Sequence, residues 1–255
     1  MSLRLVSLDD LTIEDEEALA SVPLYPRLKE ALRAAGHRFL VPARRTELSW
    51  DRALFLNLTY WSGAVAADIL CQQSLPADVV THVAWHRVVA QGLAKSAAAD
   101  AKESMLFGEA VASAFDLYLV GQLLHEAPES DFITTQVPAM GEAAANAGLS
   151  ESEFGLLLEG VADDPIAAFS ELRTLLFEAS TALVPCADPL SAYEVLEGFA
   201  SHRFAPLLHH YELSNWVLYT RAYGGAARAD QAVRALHTEL AAAPDALAWL
   251  VDRWL

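Results

Sequence analysis

The sequence predicts an all-α fold: one multi-helix globular domain over residues 1–255, with an antiparallel helix hairpin at its centre. Three observations predict it. Hydrophobic residues make up 54% of the 255 and charged residues only 20%, which argues against disorder and for a sizeable core. Gly (12) and Pro (11) are few against abundant Ala and Leu, the composition of helices. β-branched alternation is absent outside Phe39-Leu40-Val41, so no sheet of three or more strands is expected.

The elements follow in order from caps and breakers. Ser7 and Thr12 are candidate N-caps with acids after them, giving a short first helix before Pro23 and Pro26. A second helix runs from about Arg27 to Ala35 and is ended by Gly36. Ser49 is expected to cap a long buried helix from Trp50 to about Gln73, whose aromatic residues Trp50, Phe55, Tyr60 and Trp61 spread over several faces. Pro76 restarts the chain near a first helical position, giving a helix to about Ala99, and the stretch from Asp100 to Glu103 leads into another ending near Glu126. Their short connection makes them the antiparallel hairpin. Ser130-Asp131 opens a helix reaching Gly148, Ser150 caps the next, and Asp164-Pro165 starts one that runs to Leu183. Asp188-Pro189 is a further start, followed by a His- and Tyr-rich region from His202 to Tyr223 and by closing amphipathic helices from Ala226 to Leu255. No repeat, Gly/Ser linker or low-complexity tract marks a domain boundary.

The hairpin carries the chemistry. His82 and His86, in THVAWH, stand four residues apart and so project from one helix face, a separation one metal ion bridges with two imidazoles. On the second helix Glu109, Ser113 and Asp116 fall on one stripe. A carboxylate in so apolar a run is costly to bury unless it is paired, protonated or bound to a cation. The same His spacing also suits two hydrogen-bonded core histidines, and Asp116 suits either a partner orienting a histidine or a plain cap or surface acid.

Read as His-x-x-x-His, 22 residues and then Glu-Ala-x-x-Ser, residues 76–126 resemble the gluzincin zinc metallopeptidases, in which HExxH and a downstream Glu hold zinc. The resemblance implies His82, His86 and Glu109 as metal ligands, with Ser113 where some members carry an Asp beside the ligands. It also implies a twisted sheet ahead of the first metal helix, whereas the residues before Pro76 read almost wholly as helix. The position of the family's general base is Val83, in His-Val-Ala-Trp-His, and a valine accepts no proton. Ordinary peptidase turnover is therefore not expected.

Other chemistries find no support. No histidine has a Glu three residues before it, as a ferritin-like dinuclear site requires, and there is no phosphate-binding Gly loop or Gly-x-Ser-x-Gly elbow. The two cysteines, Cys71 and Cys186, make no Cys-x-x-Cys pair and read as small buried hydrophobes. A net charge of −17 repels nucleic acid and anionic membranes, and the N-terminus turns acidic without an apolar run, so a cytoplasmic protein is expected. Two functions from different classes follow. One is a metal-dependent enzyme with an open 2-His-1-carboxylate site for Zn²⁺ or Fe²⁺, acting on a small-molecule or peptide substrate, with His209, His210 and Tyr211 as candidate catalytic groups and Glu103 as a substitute base. The other is a non-catalytic helical binding protein built on a metallopeptidase-like scaffold.

Overall fold

A computed structural model describes residues 3–42, 67–70, 72–96, 98, 102–223 and 230–255. Helix dominates them, in eleven α-helices among the described residues, as the composition predicts. The chain divides into two compact units, residues 1–84 and 85–255, and the division falls inside one continuous helix, Ala77–Lys95.

The first unit departs from the all-helical expectation. Strand β1 (Leu3–Ser7) pairs antiparallel with β3 (Arg38–Pro42), and β3 pairs parallel with β4 (Ala67–Ile69), making the three-stranded sheet that was not expected. A second, two-stranded sheet joins β2 (Thr12–Glu14) in parallel to β5 (Ser74–Pro76). Thr12 is thus a strand residue, not a helix cap. Ser7 does close a turn, because its backbone N–H and its hydroxyl both donate to Asp10, at 2.8 and 2.6 Å, but that turn is a single 3-10 turn, Leu8–Asp10. The helices here are short: α1 (Glu16–Leu19), and α2 (Tyr25–Ala34), which carries Pro26 in its first turn and ends at Gly36 in the left-handed region (φ +62). The apolar face of α2, Tyr25, Leu28 and Leu32, is buried in this unit's core with Leu19, Phe39, Val41 and Leu75. Of the long helix expected over Trp50 to Gln73, residues 50–66 lie outside the described residues; its described end is strand, because Leu40 and its neighbours take the backbone hydrogen bonds of residues 67–70. Cys71 also lies outside the described residues.

The remaining described elements are helical. α3 (Ala77–Lys95) and α4 (Glu103–Leu123) form the antiparallel hairpin. α4 is the core of the second unit, apolar on every side, with only Ser104, Met105, Glu109, Asp116 and Gln122 less than fully buried. It is long and apolar enough to cross a membrane, but 72% of its most apolar window is buried in protein. Around it lie α5 (Asp131–Asn146), α6 (Glu151–Asp163), α7 (Pro165–Leu183), α9 (Leu213–Tyr223) and α10 (Asp230–Ala241), with α7 its main partner; α8 (Pro189–Glu197) and α11 (Ala246–Trp254) pack on α7. Ser130, Ser150, Asp164, Asp188 and Asp245 each accept a backbone N–H of the first turn they open.

Two glycines set close approaches. A Cβ on Gly121 would stand 2.7 Å from the Val161 carbonyl, so α4 meets the α6–α7 corner backbone to backbone. A Cβ on Gly92 would lie inside the indole of Trp254, which packs flat on α3 and edge-on to Phe107.

Candidate metal centre

α3 presents His82 and His86 one turn apart, and α4 presents Glu109 across the hairpin. One ligand atom from each of the three lies within 4.8 Å of the other two, and His86 Nε2 stands 3.6 Å from Glu109 Oε2. Two ligands at about 2.0–2.1 Å from one tetrahedral ion are about 3.4 Å apart. The His86–Glu109 spacing is already near that value, and a pair at the 4.8 Å limit would close by about 1.4 Å through side-chain rotation. His86 is buried, while His82 and Glu109 are half-buried. Gly108 stands beside the imidazole; a Cβ there would sit 3.4 Å from His86 Nδ1, in ordinary contact. A His82, His86 and Glu109 group able to hold a metal ion is therefore present among the described residues.

Val83, which follows His82 directly, is 4% exposed and packed as an apolar residue. Further along α4, Ser113 is buried and Asp116 half-buried. Asp116 is two turns from Glu109, about 10 Å along the axis, and its charge acts on His210 and Tyr211. These two stand just before α9 and meet edge to face at 4.9 Å. Burial holds the His210 imidazole below its ordinary range despite Asp116 and Glu212, so it is neutral at pH 7 and able to accept a proton. Burial, then Asp116, pushes the Tyr211 phenol far up, keeping it a donor. His209, by contrast, is exposed and lines a groove beside α8. The three candidate catalytic residues thus part company: two join Asp116, and one faces solvent.

Glu103 does not serve as a free base. Its buried carboxylate is gripped by the Arg234 guanidinium of α10, with Nε at 2.8 and 3.0 Å and Nη2 closing the fork. Cys186 is a free thiol, half-buried and not part of the core as expected.

Two polar clusters escaped the sequence reading. In the first unit His37 Nε2 and Asp68 Oδ2 lie 2.7 Å apart, both 6% exposed, with the imidazole edge-on to Phe39. In the second, Arg173 is fully buried on α7; its Nη1 meets His237 Nδ1 of α10 at 2.9 Å and its Nη2 donates to Thr174 at 2.7 Å. Partners 31 and 64 residues apart leave no local spacing to read. Comparison with protein-family models, with curated proteins and with solved structures finds no match to this chain.

Proposed function

We propose that this chain is a metal-dependent enzyme whose centre is the open 2-His-1-carboxylate group His82, His86 and Glu109. The observation that carries the reading is the convergence of three ligand-type side chains from two helices within 4.8 Å. Two imidazoles and one carboxylate suit Zn²⁺ or non-haem Fe²⁺, and either leaves positions for water and substrate. Bound there, such an ion supplies Lewis acidity and lowers the pKa of coordinated water. The remaining work falls to the chain's own groups. His210 accepts a proton and Tyr211 donates a hydrogen bond, both within reach of the Asp116 charge, toward a small-molecule or peptide substrate long enough to span about two helical turns from Glu109.

A degenerate gluzincin scaffold is the origin we favour. The short β5 strand ending at Pro76, directly before the His-bearing helix, and the sheet that precedes it support that origin. The buried Val83 opposes the family's own hydrolytic mechanism, so the proposed enzyme is not an ordinary peptidase.

Elemental analysis of protein purified without chelator or affinity metal tests the reading. About one Zn or Fe per chain is expected, falling below about a tenth in both His86→Ala and Glu109→Ala. Wild-type protein that takes up neither ion on dialysis against Zn²⁺ or anaerobic Fe²⁺ would remove the metalloenzyme reading.

A further inference from the structure

Helix α8 is well made and poorly used. Asp188 caps it by accepting the N–H groups of Leu190 and Ser191, both at 3.0 Å, and Pro189 fixes its first turn, yet none of its side chains is buried. Leu190 is 68% exposed and Tyr193 61% exposed. Beside it runs a groove of about 660 Å³ whose walls are Ala192 and Leu196 of α8 and Leu213, Val217 and Leu218 of α9, with Leu218 itself 60% exposed. A nine-residue helix with no buried side chain gains little from its own chain, since most helical stability comes from packing an apolar face. The exposed Leu218 and the apolar walls beside it mark the groove as a binding face.

The charge around the groove selects the occupant. Asp188 and Glu212 line it and Glu194 and Glu197 stand exposed on α8. The one arginine in its wall, Arg221, is engaged with the carbonyls of Leu183, Val184 and Cys186 at the end of α7. With a net charge of −17, a second copy of the chain is a poor partner for this face. We propose that the α8–α9 groove docks a basic amphipathic helix of a partner protein, its leucine-type anchors entering between Leu196 and Leu218 and its lysines or arginines meeting Asp188 and Glu212. Two helices with an apolar trough between them form the seat for a third, the helix-in-groove mode of recognition. This site is separate from the metal centre and stands whether or not a metal binds.

The test uses the full chain and three fluorescent 18-residue probes at about 0.15 M salt, where long-range attraction is screened beyond about 8 Å: an amphipathic Leu/Lys helix, the same composition scrambled to destroy its apolar face, and an amphipathic Leu/Glu helix. The amphipathic Leu/Lys probe is expected to bind at least tenfold tighter than either other probe. The double variant Leu196→Ser, Leu218→Ser, which leaves charge unchanged and alters two groove-lining side chains that are not buried, is expected to lose about tenfold for that probe alone while keeping the wild-type circular dichroism spectrum. Equal binding of the ordered and scrambled Leu/Lys probes, or unchanged binding by the double variant, would reduce the effect to a polyanion attracting a polycation and overturn the proposal. So would dimerisation of the chain that the double variant abolishes, or failure of the peptide alongside saturable one-to-one binding of a small apolar dye, since each assigns the groove a different occupant.

Discussion

Arg173 holds His237 in one tautomer. A guanidinium only donates, so the 2.9 Å contact from Arg173 Nη1 makes His237 Nδ1 the acceptor and leaves the proton on Nε2, 3.4 Å from Glu178 Oε1. Burial lowers the Arg173 pKa to about 10, so the guanidinium is still charged at neutral pH and this arrangement persists there. The imidazole also lies 4.5 Å from the Phe177 ring, which pins α10 to α7.

Acid should undo this contact. Burial, and next the Arg173 charge, hold the folded His237 pKa below its ordinary value, and Glu178 and Glu103 only partly oppose them. The unfolded chain therefore binds the proton first as pH falls below about 6.5. Stability is complete above that pH and is lost progressively toward the lower folded pKa. His202 and His210 are shifted the same way by burial and add to the slope. Thermal melts between pH 7.5 and 5 should show the decline, and His237→Gln, whose amide oxygen still accepts from Arg173, should flatten it; His125→Gln, at an exposed site, should not. His237→Ala should cost about 1.5–3 kcal/mol by stranding a buried donor.

Metal should stabilise the fold. An ion bound only by the native His82, His86 and Glu109 arrangement adds about 2.7 kcal/mol at a free concentration 100 times its Kd. Differential scanning fluorimetry should show Zn²⁺ or Fe²⁺ raising the melting temperature of the wild type, and a chelator reversing it. An equal rise in His86→Ala would place the binding elsewhere.

Val83→Glu separates scaffold from chemistry. A carboxylate at a site 4% exposed should lower stability by roughly 2 kcal/mol or more in metal-free protein. With metal bound, a gluzincin-like geometry should gain slow hydrolysis of an activated ester, because a positioned base is worth about 10²–10⁴-fold. Stoichiometric metal without any gain in rate would sever the resemblance to that family.

Gly92 and Trp254 should behave as one unit. Gly92→Ala pushes a methyl into the indole and should cost about 1–3 kcal/mol. In a Trp254→Leu background the same change should cost little, so the two variants should be strongly non-additive in urea melts.

How much of this was legible depends on the range of the signal. Caps at Ser130, Ser150, Asp164 and Asp188 act within three residues, and each marked its helix correctly. The His82–His86 turn is likewise local, and a short connection brought Glu109 to it. The first unit failed because its strands are three to five residues long, too short for alternation to rise above chance, and their partners are distant: Leu5 pairs with Leu40, and Ile13 with Leu75. Buried pairs such as His37–Asp68 share that defect, since only the finished fold brings them together.

The pairing of Thr12–Glu14 with Ser74–Pro76 has a kinetic consequence. These few parallel backbone bonds form only after the whole intervening chain has been closed into a loop, an entropic cost met late in folding. The second unit is helical: although its main packing, α4 against α7, skips two helices, each helix closes its own backbone hydrogen bonds locally. Refolding should therefore be biphasic, with most ellipticity recovered in a fast phase and the strand pairing that precedes α3 in a slow one. Stopped-flow circular dichroism followed by pulse-labelled amide exchange at Thr12–Glu14 would resolve the two. The histidine-bearing helix begins where the slow phase ends, so competence to take up metal should return with the slow phase and lag behind the recovery of helix.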